Sequence, residues 1–169
     1  MIPIYAYGIF DVTYSEVIQH IIFEYVDPGK KYVRVVKDRD KLTKELAILK
    51  RNMQAFLDAE KVKINNTRVY PKVIDVKIGF SGTYERPYIK YIIVFEAPLR
   101  SGVNIYEDTY EPEVTEYDYV VTWVFPKGSK VLNVNVGFNF EIINERVVIF
   151  HVPEGSETPG YESISFLLP

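Results

Sequence analysis

Only one stretch of this chain repeats its apolar residues at helical spacing. Leu42, Leu46, Leu49, Met53 and the pair Phe56/Leu57 recur three and four residues apart, which lines them along one helical face. Lys41, Lys44, Arg51 and Asp58 fall mostly elsewhere around the same helix. A helix is therefore predicted over about residues 40–60. Asp38-Arg39-Asp40 opens it, because a carboxylate there can accept from the free N–H groups of the first turn. So long an apolar stripe has to be covered, and the rest of the chain offers only sheet to cover it.

That remainder alternates with period two. Ile74, Val76, Ile78 and Phe80 interleave with Asp75 and Lys77, giving one core face and one wet face. Tyr117, Tyr119, Val121, Trp123 and Phe125 make a second stripe of this kind. Ile89 to Phe95 is apolar on both faces, as in a central strand. Tyr14 to Val26 stops at Asp27-Pro28-Gly29-Lys30, a turn signal, and Lys31 to Lys37 reads as the return strand. The expectation is an N-terminal hairpin over about residues 14–37. Asn65-Asn66 reads as a tight turn between Val62–Ile64 and Thr67–Tyr70. Pro126-Lys127-Gly128-Ser129 leads into Lys130–Val136, and Phe138–Ile143, Arg146–Val152 and Tyr161–Leu168 follow. The expected fold is mainly β (α+β): an antiparallel β-sandwich-like domain with one long amphipathic helix packed against a sheet.

A chain of 169 residues fits a single domain, 1–169, with antiparallel strands over about 62–168. That size buries a sufficient core without disulfides or a structural metal. Fourteen tyrosines suit the pleated surfaces of strands. A net charge of −3 argues against a nucleic-acid partner. The absence of cysteine excludes thiolate metal sites. Two methionines, with Gln19 and Gln54 the only glutamines, agree with the composition of a thermophile. Met1 to Phe10 is apolar but holds Pro3 and is too short to span a bilayer, and no other stretch qualifies. The chain reads as soluble as it stands, either cytoplasmic or an excised extracytoplasmic domain.

Catalytic patterns do not assemble. His20 and His151 each sit within a strand pattern, and no further ligands lie near either in sequence. A metal site needs three or four convergent donors, so both histidines read as structural or surface residues. Gly79-Phe80-Ser81-Gly82 lacks the spacing of a nucleophile elbow and reads as a turn. Gly128-Ser129-Lys130 lacks the upstream glycine and following helix of a phosphate loop. Asp38 and Asp40 have the spacing of a divalent-ion pair, but capping accounts for them more simply. Asn65-Asn66-Thr67 matches a glycosylation sequon at Asn65, and is equally the composition of a hairpin turn. No cofactor is expected, and an enzyme is the less favoured reading.

The most distinctive segment is Tyr106–Tyr119, with six acidic residues and no Lys or Arg. By contrast Lys30–Arg51 holds nine basic residues against Asp38, Asp40 and Glu45. The candidate partner surface comprises Tyr106, Glu107, Asp108, Tyr110, Glu111, Glu113, Glu116 and Asp118. Pro112 donates no backbone hydrogen bond, so this stretch is expected at an edge or in a loop, with Tyr106 and Tyr110 exposed. Tyrosine beside carboxylate is common at interfaces. A solvated edge strand kept from aggregating by its charges is the plainer reading. A Ca²⁺ site is the weakest, since carboxylates alternating along a strand spread rather than converge.

The function expected is a non-catalytic binding or structural domain, on a cell surface or otherwise extracytoplasmic. It would meet a basic protein, or the Lys30–Arg51 region of a neighbouring copy, electrostatically. One alternative is a carbohydrate-active enzyme on a sandwich scaffold, using a pair of carboxylates. Another is a self-assembling coat or surface-layer subunit.

Overall fold

Twelve strands fall into two sheets, with both helices inserted between the second strand and the third. The structure, a computed structural model, describes residues 1–169. In order the elements are β1 (Ile2–Val12), β2 (Glu16–Val26), α1 (Lys31–Lys37), α2 (Arg39–Ala59), β3 (Lys61–Ile64), β4 (Thr67–Val69) and β5 (Lys72–Phe80). Then come β6 (Pro87–Glu96), β7 (Gly102–Thr109), β8 (Asp118–Val124), β9 (Lys130–Asn135), β10 (Phe140–Ile143), β11 (Val147–Val152) and β12 (Tyr161–Leu168). The larger sheet has seven strands in the order β10-β11-β8-β1-β2-β6-β5, and the smaller has five in the order β4-β3-β7-β12-β9. The fold is thus mainly β with two helices. The larger sheet is mixed rather than antiparallel throughout as expected, because β1 and β8, far apart in sequence, run parallel, from Tyr5 against Asp118 to Asp11 against Val124.

One face of the larger sheet carries both cores. Over part of that face lies the smaller sheet. There Val12, Val17, Phe95, Trp123, Val148 and Phe150 meet Val62, Ile64, Tyr106, Val131, Ile164 and Phe166. Aromatic rings run through this layer: Trp123 stacks on Phe10 at 4.1 Å between centroids, and Phe125 lies 4.4 Å from Phe166. Over the rest of the face lies α2. Leu57 is buried, and Leu46, Leu49 and Met53 pack with Val73, Val76, Ile89, Tyr91 and Ile93. Asp38 caps α2 by accepting from the N–H groups of Asp40 and Lys41, each at 3.1 Å. Phe56, expected on the apolar face, is 71% exposed, because Leu57 takes the inward position at that turn.

Three further expectations about strands need correction. Lys31–Lys37 is helix, not a return strand. β2 is already paired along its length with β1 on one side and β6 on the other, so no edge is left for it. Buried Asp27 accepts from the N–H of Tyr32 at 2.8 Å, and Lys30 turns the chain with φ 51. The Tyr32 hydroxyl then donates to Glu45, tying α1 to α2. The N-terminal hairpin is therefore β1–β2, turning at residues 13–15. In β5 a bulge between Val73 and Asp75 turns Val73 inward and leaves Ile74 56% exposed. The acidic segment does not begin at an edge: Tyr106–Thr109 lies in β7, between β3 and β12.

Candidate functional site

The eight residues of the acidic segment do not form one surface. Alternation along β7 sends Asn104, Tyr106 and Asp108 into the layer between the sheets. Tyr106 is buried against Trp123, 4.5 Å between ring centroids, so the expected exposed tyrosine is a core residue. Glu107, half-buried on the opposite side, accepts from the Tyr161 hydroxyl at 2.7 Å. Tyr110 is half-buried at the start of the link to β8. Only Glu111, Glu113, Glu116 and Asp118 stand exposed, and Asp118 Oδ2 lies 3.7 Å from His151 Nε2.

Asp108 instead belongs to a group of three carboxyls from different parts of the sequence. In the register of β7 and β12 it lies directly opposite Glu162. Glu60, at the C-cap of α2 and two residues before Val62, the β3 partner of Asp108, brings the third carboxyl beside that of Asp108. Asp108 is only 7% exposed, and its Oδ1 is buried with no hydrogen-bond partner. Burial, then the charge of Asp108, pushes the Glu162 carboxyl up to about 8. Burial raises Glu60 and Asp108 too, and Asp108 and Glu162 push Glu60 further in the same direction. A negative charge at the C-terminus of α2 would also oppose the helix dipole. Tyr106, Tyr110 and Tyr119 close the group in, each with its hydroxyl pKa raised, first by burial and then by neighbouring carboxylates. No group of three or more His, Cys, Asp or Glu is placed to hold a metal ion.

The sequence held a signal for this site that the reading above did not use. Period two along Tyr161–Leu168 puts Glu162 on the same side as Ile164, Phe166 and Leu168, all three of them buried. A carboxyl in phase with a core stripe is a buried carboxyl.

The second feature is the opposite face of the seven-stranded sheet, which neither the other sheet nor a helix covers. Matching the pairing registers gives rows across it: Val94, Ile18, Asp11, Val124; then Ile92, His20, Ile9, Thr122; then Lys90, Ile22, Tyr7, Val120. None of these twelve is buried, yet eight are apolar or tyrosine. Tyr7, Ile9, Asp11, His20, Ile22, Lys90 and Val124 line a shallow hollow of about 340 Å³ there. His20 thus lies on an open face, while His151 stands at its β11 side. Asn65 has a structural role. It turns β3 into β4 with φ 50, its Nδ2 donates to Pro98 O and Asn104 Oδ1, and its Oδ1 accepts from Ile105 N. No helix is long and apolar enough to cross a membrane.

No family model matches the sequence, and none of the curated proteins compared with it does. Among solved structures, leukotriene A4 hydrolase from Saccharomyces cerevisiae aligns with 97% of this chain at 7% identity and a TM-score of 0.34. The alignment spans 28% of that protein's chain, and a likeness this slight carries no argument about fold or function.

Proposed function

We propose that the chain is a single sandwich-like domain with a non-catalytic structural or binding role, and that it works by pairing with a second copy through the open face of its seven-stranded sheet. The observation that carries this reading is the uncovered, largely apolar field centred on Ile9, Ile22 and Ile92. Seven strands at about 4.8 Å spacing and three rows about 6.8 Å apart along them give a face of about 600–700 Å². A stable interface takes about 800 Å² per partner, counted with side-chain relief. Charges on the rim favour one arrangement. A twofold axis across the strands sets Asp75 of each copy on Lys77 of the other. An axis along β1 would set Asp11 on Asp11 and Glu24 on Asp118, a like-charge cost. The exposed carboxylates at 111–118 border this face through Asp118 and would tune association. Binding is favoured over glycoside hydrolysis because Asp108, the centre of the carboxyl group, is sealed from any sugar.

Sedimentation equilibrium tests the reading. The parent should dimerise at micromolar concentration, and Ile9→Glu should be monomeric with unchanged far-UV circular dichroism. Asp75→Lys should weaken the dimer, and adding Lys77→Asp should restore it. A parent that stays monomeric to about 100 µM, a concentration that detects association of only about −5 kcal/mol, would sink the pairing.

A further inference from the structure

No cation acts on the carboxyls of Asp108 and Glu162, and the one beside Glu60, Arg68 on β4, donates to the Glu60 backbone carbonyl at 3.2 Å. The groups packed around them are Tyr106 on β7, Tyr110 and Glu113 on the following link, Tyr119 on β8 and Glu162 on β12. All of these are neutral or acidic, which leaves Arg68, engaged with the Glu60 carbonyl, as the cation beside the group. A buried carboxylate without a partner costs several kcal/mol, so such a group takes up a proton instead. Asp108 Oδ1 is the acceptor left open. Glu162 across the strand pair and Glu60 at the helix end are each half-buried, so both carry a proton path to solvent.

We propose that Glu60, Asp108 and Glu162 form a proton-held joint between the end of α2, β3, β7 and β12, closed while they share protons and loosened when all three ionise. Its place makes the loosening consequential. Beyond Thr109 the chain leaves β7 for the link to β8. That link is held by Tyr110 N to Gly160 O at 2.9 Å and by the Val114–Glu157 bridge. Repulsion between Asp108 and Glu162 pushes apart the two strands from which the link hangs. Toward the core, Tyr106 precedes Asp108 by two residues and lies against Trp123, the only tryptophan. The joint therefore carries its own reporter.

The experiment is a reversible pH titration of Trp123 emission in the full chain, run from pH 5.5 to pH 9.5 at constant ionic strength. One step in emission should appear near pH 8, where Glu162 ionises, with far-UV circular dichroism unchanged. Glu162→Gln mimics the protonated acid without a titrating group, and should hold the low-pH emission across the range. Asp108→Asn should do the same if Glu162→Gln folds poorly. A flat parent titration overturns the proposal, as does a step kept by both variants. A step at pH 8.5 that 1 mM CaCl₂ reverses also overturns it, since a metal ion and not a proton would then be the occupant.

Discussion

Asp108 and Glu162 sit directly opposite one another on β7 and β12, two carboxyls side by side in the layer between the sheets. Cross-strand neighbours of like charge are destabilising even at a surface. Here the conflict is relieved by protons, and stability consequently depends on pH.

Glu162 is the plainest case: its carboxyl moves from an ordinary 4.5 to about 8 on folding, by burial first and the Asp108 charge second. A raised acid pKa means that the folded state holds the proton more tightly. The stabilisation is complete below the unfolded value and is lost as pH rises through the folded one. Unfolding free energy should therefore fall between pH 5 and pH 9 by on the order of 2–4 kcal/mol, at about 1.4 kcal/mol per unit discounted for partial exposure. Glu162→Gln should flatten this slope in urea titrations. Glu85 works in the opposite sense. Hydrogen bonds from Thr83 and then Lys30 hold it down at about 2, so its small contribution is lost on acidification. A parent whose stability rises steadily from pH 5 to pH 9 would contradict the assignment.

The helix should report its docking residue by residue. Leu57→Ala removes a buried side chain and should cost about 2–5 kcal/mol. Leu46→Ala and Leu49→Ala, at half-buried positions, should cost about half as much. Phe56→Ala and Lys44→Ala, both exposed, should change stability by less than about 0.5 kcal/mol. Urea unfolding of the five variants separates the two classes, and comparable losses at Phe56 and Leu57 would mean the helix is rotated.

Asn104 is the third position to test. It is fully buried, and its side chain makes four hydrogen bonds. Oδ1 accepts from Arg100 N and Asn65 Nδ2, while Nδ2 donates to Arg100 O and Gly102 O. Asn104→Ala strands several of these groups, and each buried orphan costs about 1–3 kcal/mol. A loss on the order of 3 kcal/mol is expected, with Asn65→Ala smaller because its site is partly exposed. Thermal unfolding of the two single variants and the double should show less than additive losses, since the residues share one network.

Local pattern by itself determined much of this protein. The spacing from Leu42 to Leu57 made α2, Asp38 capped it, and Asn65-Asn66 turned β3 into β4, because each depends on contacts within a few residues. The stripe from Tyr117 to Phe125 put Trp123 and Phe125 inside, because alternation assigns sides without knowing the partner. What tertiary structure decided was pairing. Lys31–Lys37 became helix because β1 and β6 had taken both edges of β2, a fact written far away in sequence. Tyr106 and Asp108 went inside because β7 was claimed by β3 and β12, not left at an edge by Pro112. Most of all, Glu60, Asp108 and Glu162 became one site only through register. Charge read along the chain gave Asp108 to a partner surface, while long-range pairing set it with Glu60 and Glu162 in a place where carboxyls keep their protons.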